Sequence, residues 1–170
     1  MPRYLKTSSL ELPIIFFQPL PDELDYWRTS RIATAVSAPW QSLTAADVMI
    51  HNKASASWSS TTGKNVTIGI IDTGIESSMP EFHATKQSPF SQSYVYSSPW
   101  NDTQGHGSMC ACAAGASSKL GGKYDGVASD SKLMSLRPNL TGSNIYILYD
   151  WVIQNKREGN FPGPVVLSNS

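Results

Sequence analysis

At 170 residues, with 40% hydrophobic and 15% charged residues, the chain has the make-up of a globular domain that can bury a core, which excludes an intrinsically disordered polypeptide. Its 13 Lys and Arg balance 13 Asp and Glu and are scattered, so no phosphate-tracking surface is expected and nucleic acid is not a predicted partner. No apolar run approaches membrane-spanning length, and no membrane partner is predicted.

Residues 1–43 mix charges and aromatics without a clean period, and Pro13, Pro19, Pro21 and Pro39 interrupt every candidate element. The apolar run Leu12 to Phe17 is short, contains Pro13 and follows Glu11. It lacks a small-residue cleavage site and makes a poor secretory signal, so the compartment stays open. From Thr44 a helix-start signal leads into Ala45, Ala46, Val48, Met49 and Ala54, predicting a helix running toward Trp58, then a polar turn over Ser59 to Gly63.

Val66 to Ile71 is a β-branched run broken only by Gly69 and apolar on both faces, as in a strand inside a covered parallel sheet. Asp72 then emerges at the carboxyl end of that strand, where open α/β sheets gather ligands and chemistry. Glu76 to Thr103 is polar and rich in Ser and Pro, predicting loops with one short strand near Ser93 to Tyr96. A small-residue helix is expected from Ser108 to about Ala116, and a second long strand over Lys132 to Leu136. Ser143 is read as the cap of a helix carrying Ile145, Leu148, Tyr149, Val152 and Ile153, with Lys156 and Arg157 near its end and Gly159 as its stop. Val165 to Leu167 opens a third strand. Strands alternating with helices predict an α/β fold with parallel pairing.

The chemistry rests on two segments. Asp72-Thr73-Gly74 ends a strand, and Gly105-His106-Gly107-Ser108 opens a helix, which places a carboxylate and an imidazole on neighbouring elements. These segments, with Trp58 and Gly63 before them, Gly126-Val127-Ala128 and Lys132-Leu133 after them, and finally Trp151-Val152-Ile153 and Val165 to Ser170, resemble in order the landmarks of subtilisin-like serine proteases. The resemblance covers roughly Ala45 to Ser170.

It implies a partial subtilisin-like α/β fold over residues 44–170, a parallel sheet with flanking helices whose C-terminal half is missing, and residues 1–43 as an N-terminal extension or propeptide remnant. It implies a serine endopeptidase working through an acyl-enzyme, with His106 as general base and Asp72 as its orienter. Ser168, Asn169 and Ser170 match the edge that pairs with an extended peptide or protein substrate. The family's Gly-Thr-Ser-Met-Ala nucleophile turn and oxyanion asparagine are not reached, so this chain alone is expected to be inactive and the rest of the domain to be its partner. The sheet is then expected to present an open edge along Val165 to Ser170. No organic cofactor and no metal is predicted. Calcium is left open through Asp125 and Asp130, where no dense oxygen-ligand pattern occurs. Secretion would follow if a leader precedes Met1.

Plainer readings stand beside these. Ser108 sits two positions from His106 at one helix start, where side chains do not face each other, so it is not read as the nucleophile. His51 and His83 are read as surface residues, and Cys110 and Cys112 as too close together for a useful disulfide, with Cys110 placed where some subtilisin-like proteases carry a thiol. Asp-Thr-Gly is also an aspartic-protease signature, but that chemistry needs two copies and leaves Gly-His-Gly-Ser unexplained. The same run resembles the first phosphate loop of actin-like and sugar kinases, where Thr or Ser would replace Ile75. The remaining alternative is a protease-derived binding or regulatory protein without activity.

Overall fold

The computed structural model describes residues 16–17, 53–95, 97–139 and 142–170. Its strands are β1 (Phe16–Phe17), β2 (Thr67–Ile71), β3 (Gln92–Ser93), β4 (Lys132–Arg137) and β5 (Val165–Asn169), and its α-helices are α1 (His106–Gly115) and α2 (Gly142–Arg157). All pairings are parallel, in the order β1-β5-β2-β4-β3. Strand β2, which leads into Asp72, is therefore central, with Ile71 level with Leu136 of β4 and Asn169 of β5.

Alternating side chains send β2 residues to two apolar layers. Ile71 packs with Met134, Leu136, Val165 and Leu167 of neighbouring strands against Leu148 and Val152 of α2, closed by Phe161. Ile70 packs with Leu133 against Ala111 and Ala116 at α1, beside Phe82 and Ile75. The helices thus cover opposite faces of the sheet, and a strand buried on both faces is expected to be apolar along its length, as this one is from Ile68 to Ile71 after the buried Thr67. Leu148→Ala, at a fully buried site, is expected to lower unfolding free energy by about 3 kcal/mol. A urea melt with an unchanged slope would show it.

The two long strands predicted around Val66 and Lys132 form as expected, as do the helix after His106 and the α/β parallel class. Several boundaries differ. The predicted helix toward Trp58 falls mostly on residues outside those described; its described part is a single 3-10 turn, Ala54–Ser57, pinned because the Trp58 indole donates to the Val127 carbonyl at 2.9 Å. α2 already contains Ser143 within its first turn, so Ser143 is not its cap. Gly159, with φ of 76°, follows its end as predicted. The strand expected near Ser93 to Tyr96 is shorter and earlier, at Gln92–Ser93, and Tyr96 lies outside the described residues.

The side of β5 expected to be open is paired with β1, Phe16 level with Leu167 and Phe17 with Ser168. Ile14-Ile15-Phe16-Phe17 has the β-branched and aromatic content that suits a strand, a signal masked in the sequence by the prolines around it.

Candidate active site

Asp72 is the first residue past β2, where its amide still donates to the Leu136 carbonyl at 3.1 Å. Its side chain is 2% exposed, and one oxygen accepts the Thr73 amide at 2.7 Å. The chain then turns at Gly74, with φ of 118°, in a backbone region that side chains rarely adopt.

The carbonyl of that glycine explains the next one. A Cβ on Gly107 would run into the Gly74 carbonyl oxygen and lie 3.1 Å from the Asp72 Cβ. Glycine at 107 therefore lets the start of α1 press against the end of β2. Two segments 34 residues apart in sequence meet there, and His106 Nδ1 lies 2.8 and 2.9 Å from the two oxygens of Asp72.

In this geometry the assigned tautomer has Nδ1–H donating to the carboxylate. Nε2 has no hydrogen-bond partner among the described residues, and the imidazole is 48% exposed. The hydrogen bond to Asp72, reinforced by that carboxylate's charge, holds the imidazole pKa above its ordinary value. Chemically, such an arrangement can act as a carboxylate-oriented base through its free nitrogen.

Ser108 is turned away from that nitrogen. Its hydroxyl donates to Asp102 Oδ2 at 2.7 Å and accepts the Glu76 amide at 2.9 Å, and the residue is buried. Cys110 Sγ lies 3.9 Å from His106 Nδ1, on the nitrogen already engaged by Asp72, and 3.7 Å from the Ser170 hydroxyl. Burial pushes its thiol pKa up, so it is a neutral neighbour rather than a thiolate. Cys112 is likewise free.

Of the three substrate-edge candidates, Ser168 and Asn169 lie within β5, level with Ile70 and Ile71, and Ser170 ends the chain beside Cys110. The structure thus brings the Ser170 end of β5 close to the Asp72–His106 pair. His83 is exposed and accepts the Thr85 amide at a short 3-10 turn; His51 lies outside the described residues.

Among the described residues, one group of three potential ligand side chains, Asp72, His106 and Cys110, has donor atoms within 4.8 Å. Those atoms are accounted for by the carboxylate–imidazole pair with a thiol alongside, and no metal is assigned to them. Asp125 accepts the Ser118 amide and hydroxyl at 2.9 and 2.8 Å. Asp130 is paired with Lys119 at 2.9 Å and with the Thr62 hydroxyl.

A family model described as the subtilase family matches residues 63–158, more than half of the chain, and spans both Asp72 and His106. The chain belongs to the subtilase family. This subtilase is 33% identical over 113 residues to Proteinase R of Parengyodontium album, covering 64% of the chain and 27% of that protein. It is 31% identical over 150 residues to a cuticle-degrading protease of Metarhizium anisopliae, covering 84% of the chain and 36% of that protein. The solved structure of MycP1 with its N-terminal propeptide removed matches with a TM-score of 0.51 and 25% identity, over 65% of this chain and 34% of that one. The chain thus spans about a third or less of the length of these relatives.

Sequence reasoning missed one participant in the subtilase site. Asp102, 8% exposed, accepts hydrogen bonds from the Thr73 hydroxyl, the Gln104, Gly105 and Ser108 amides and the Ser108 hydroxyl, at 2.7 to 3.1 Å. Burial raises its pKa, but the bonds from Ser108, Gly105 and Thr73 outweigh burial and hold the carboxyl at about 2. A depressed carboxylate stabilises the fold above its ordinary pKa, and that contribution is lost as pH falls from about 4 to about 2. The available signal was an acid three residues ahead of a glycine that opens a helix.

Proposed function

We propose that this subtilase provides the acid and base of a serine endopeptidase that hydrolyses peptide bonds through an acyl-enzyme. His106 takes the proton from a serine hydroxyl as the oxygen attacks the peptide carbonyl, and returns it to the leaving amine. Asp72 holds the tautomer with Nε2 unprotonated and stabilises the imidazolium. The nucleophile and oxyanion donor come from polypeptide outside these 170 residues, since Ser108 is committed to Asp102 and Glu76. An extended stretch of a protein or peptide substrate pairs along Ser168, Asn169 and Ser170, the β5 end beside the imidazole.

The observation that carries this reading is the contact of His106 Nδ1 with both Asp72 oxygens while Nε2 stays accessible. Two protease relatives and the family match support it. The test is to sequence the coding region beyond Ser170 and treat the natural product with a fluorophosphonate probe. Labelling of a serine in a downstream Gly-Thr-Ser turn, lost in His106→Ala, is the expected result. A stop codon directly after Ser170 with no labelling would leave a binding or regulatory protein in its place.

A further inference from the structure

The helix that carries His106 starts with amide groups that lack intrahelical partners, as every helix does. Here two side chains outside the helix take three of them. Asp102 accepts the amides of Gly105 and Ser108, at 2.9 and 2.8 Å, and the Thr73 hydroxyl accepts the amide of Gly107 at 2.9 Å. The two acceptors are joined, because the Thr73 hydroxyl donates to Asp102 Oδ1 at 2.8 Å. Thr73 is bonded to Asp72 through its own amide, so the network begins next to one member of the pair and ends under the other.

From this geometry we infer that Asp102 is a positioning residue for His106, fixing the start of α1 against the end of β2 so that Nδ1 stays on Asp72. The inference rests on His106 being the general base. A carboxylate suits the place for two reasons. It can accept five donors where an amide would turn an NH2 toward at least two of them, and its charge complements the positive end of the helix dipole. The charge also adds to that of Asp72 in favouring the protonated imidazole. The charged groups facing His106 are Asp72 and Asp102, with the neutral Cys110 thiol on its own helix. Glu76, reached through Ser108, directs its carboxylate to the Ser78 amide.

The experiment follows His106 by NMR in this 170-residue chain, reading its titration midpoint and its Nδ1–H resonance, neither of which requires peptidase activity. Asp102→Asn is expected to lower the midpoint by on the order of 0.5 pH unit and to speed exchange of the Nδ1 proton at least tenfold, with Asp102→Glu recovering part of the midpoint because the charge returns. An Asp102→Asn chain that melts earlier yet keeps both signals unchanged would overturn the assignment and leave a helix cap only. Should Asp102→Asn not fold, Thr73→Val cuts the link while leaving the carboxylate in place. Faster Nδ1 exchange there supports the assignment, and an unchanged resonance overturns it. If the signals respond while no serine is labelled in the natural product, the positioning role stands and the peptidase reading fails.

Discussion

On the proposed peptidase reading, His106→Ala is expected to lower kcat for peptide hydrolysis by about 10⁶-fold, and Asp72→Asn by about 10⁴-fold, with KM little changed in both. Removing the imidazole deletes the proton acceptor itself. Replacing Asp72 leaves the ring in place but removes the acceptor that holds the proton on Nδ1, at 2.8 Å, so the tautomer with that proton on Nε2 gains population and cannot act as a base. The pH profile carries a second signature. Because Asp72 raises the imidazole pKa through its hydrogen bond and charge, the proposed activity is expected to rise with pH through a midpoint above the ordinary histidine value. In Asp72→Asn that acidic limb moves to lower pH. An Asp72→Asn enzyme with unchanged kcat and an unchanged acidic limb would remove Asp72 from the mechanism.

Gly107→Val is expected to destabilise the fold by about 3 kcal/mol or more, the upper range for forcing volume into packed backbone. The obstruction is the Gly74 carbonyl together with the Gly74 amide nitrogen and the Asp72 Cβ, both 3.1 Å from the added carbon, and none of these is the far end of a flexible side chain. Relief requires α1 to withdraw from β2, which separates His106 from Asp72. Met109→Ala, two residues further along the same helix at a site 63% exposed, serves as the control and should stay within about 0.5 kcal/mol of the original chain. Paired chemical-denaturation curves decide the matter: equal stability of the two variants would show that the close approach of α1 to β2 is not needed.

The candidate pair was legible because its signals are local. Asp72 follows a run that is apolar at successive positions, and such a run has to end at the carboxyl edge of a covered parallel strand. His106 sits between glycines at the start of a helix of small residues, a pattern read without any partner in view. The helix and strand around Leu148 and Val165 were legible for the same reason, since periodicity and the stop at Gly159 are properties of short windows.

Asp102 was not legible, because its role is defined by donors from both sides of the site. Thr73 lies 29 residues before it, and the amides it caps belong to a helix whose first turn it precedes without being its cap residue. Nor was the pairing of Phe16 and Phe17 with Leu167 and Ser168, a contact that spans most of the chain. The amino-acid sequence by itself determined the α/β class, the parallel strands and the two segments that bear Asp72 and His106, since apolar periodicity and glycine placement act over a few residues. Only the tertiary structure decided the distance between Asp72 and His106, the turning of Ser108 toward Asp102, and the partner on the β5 edge. Those depend on which distant groups close packing brings within hydrogen-bonding reach, and a pattern along the chain carries no term for that.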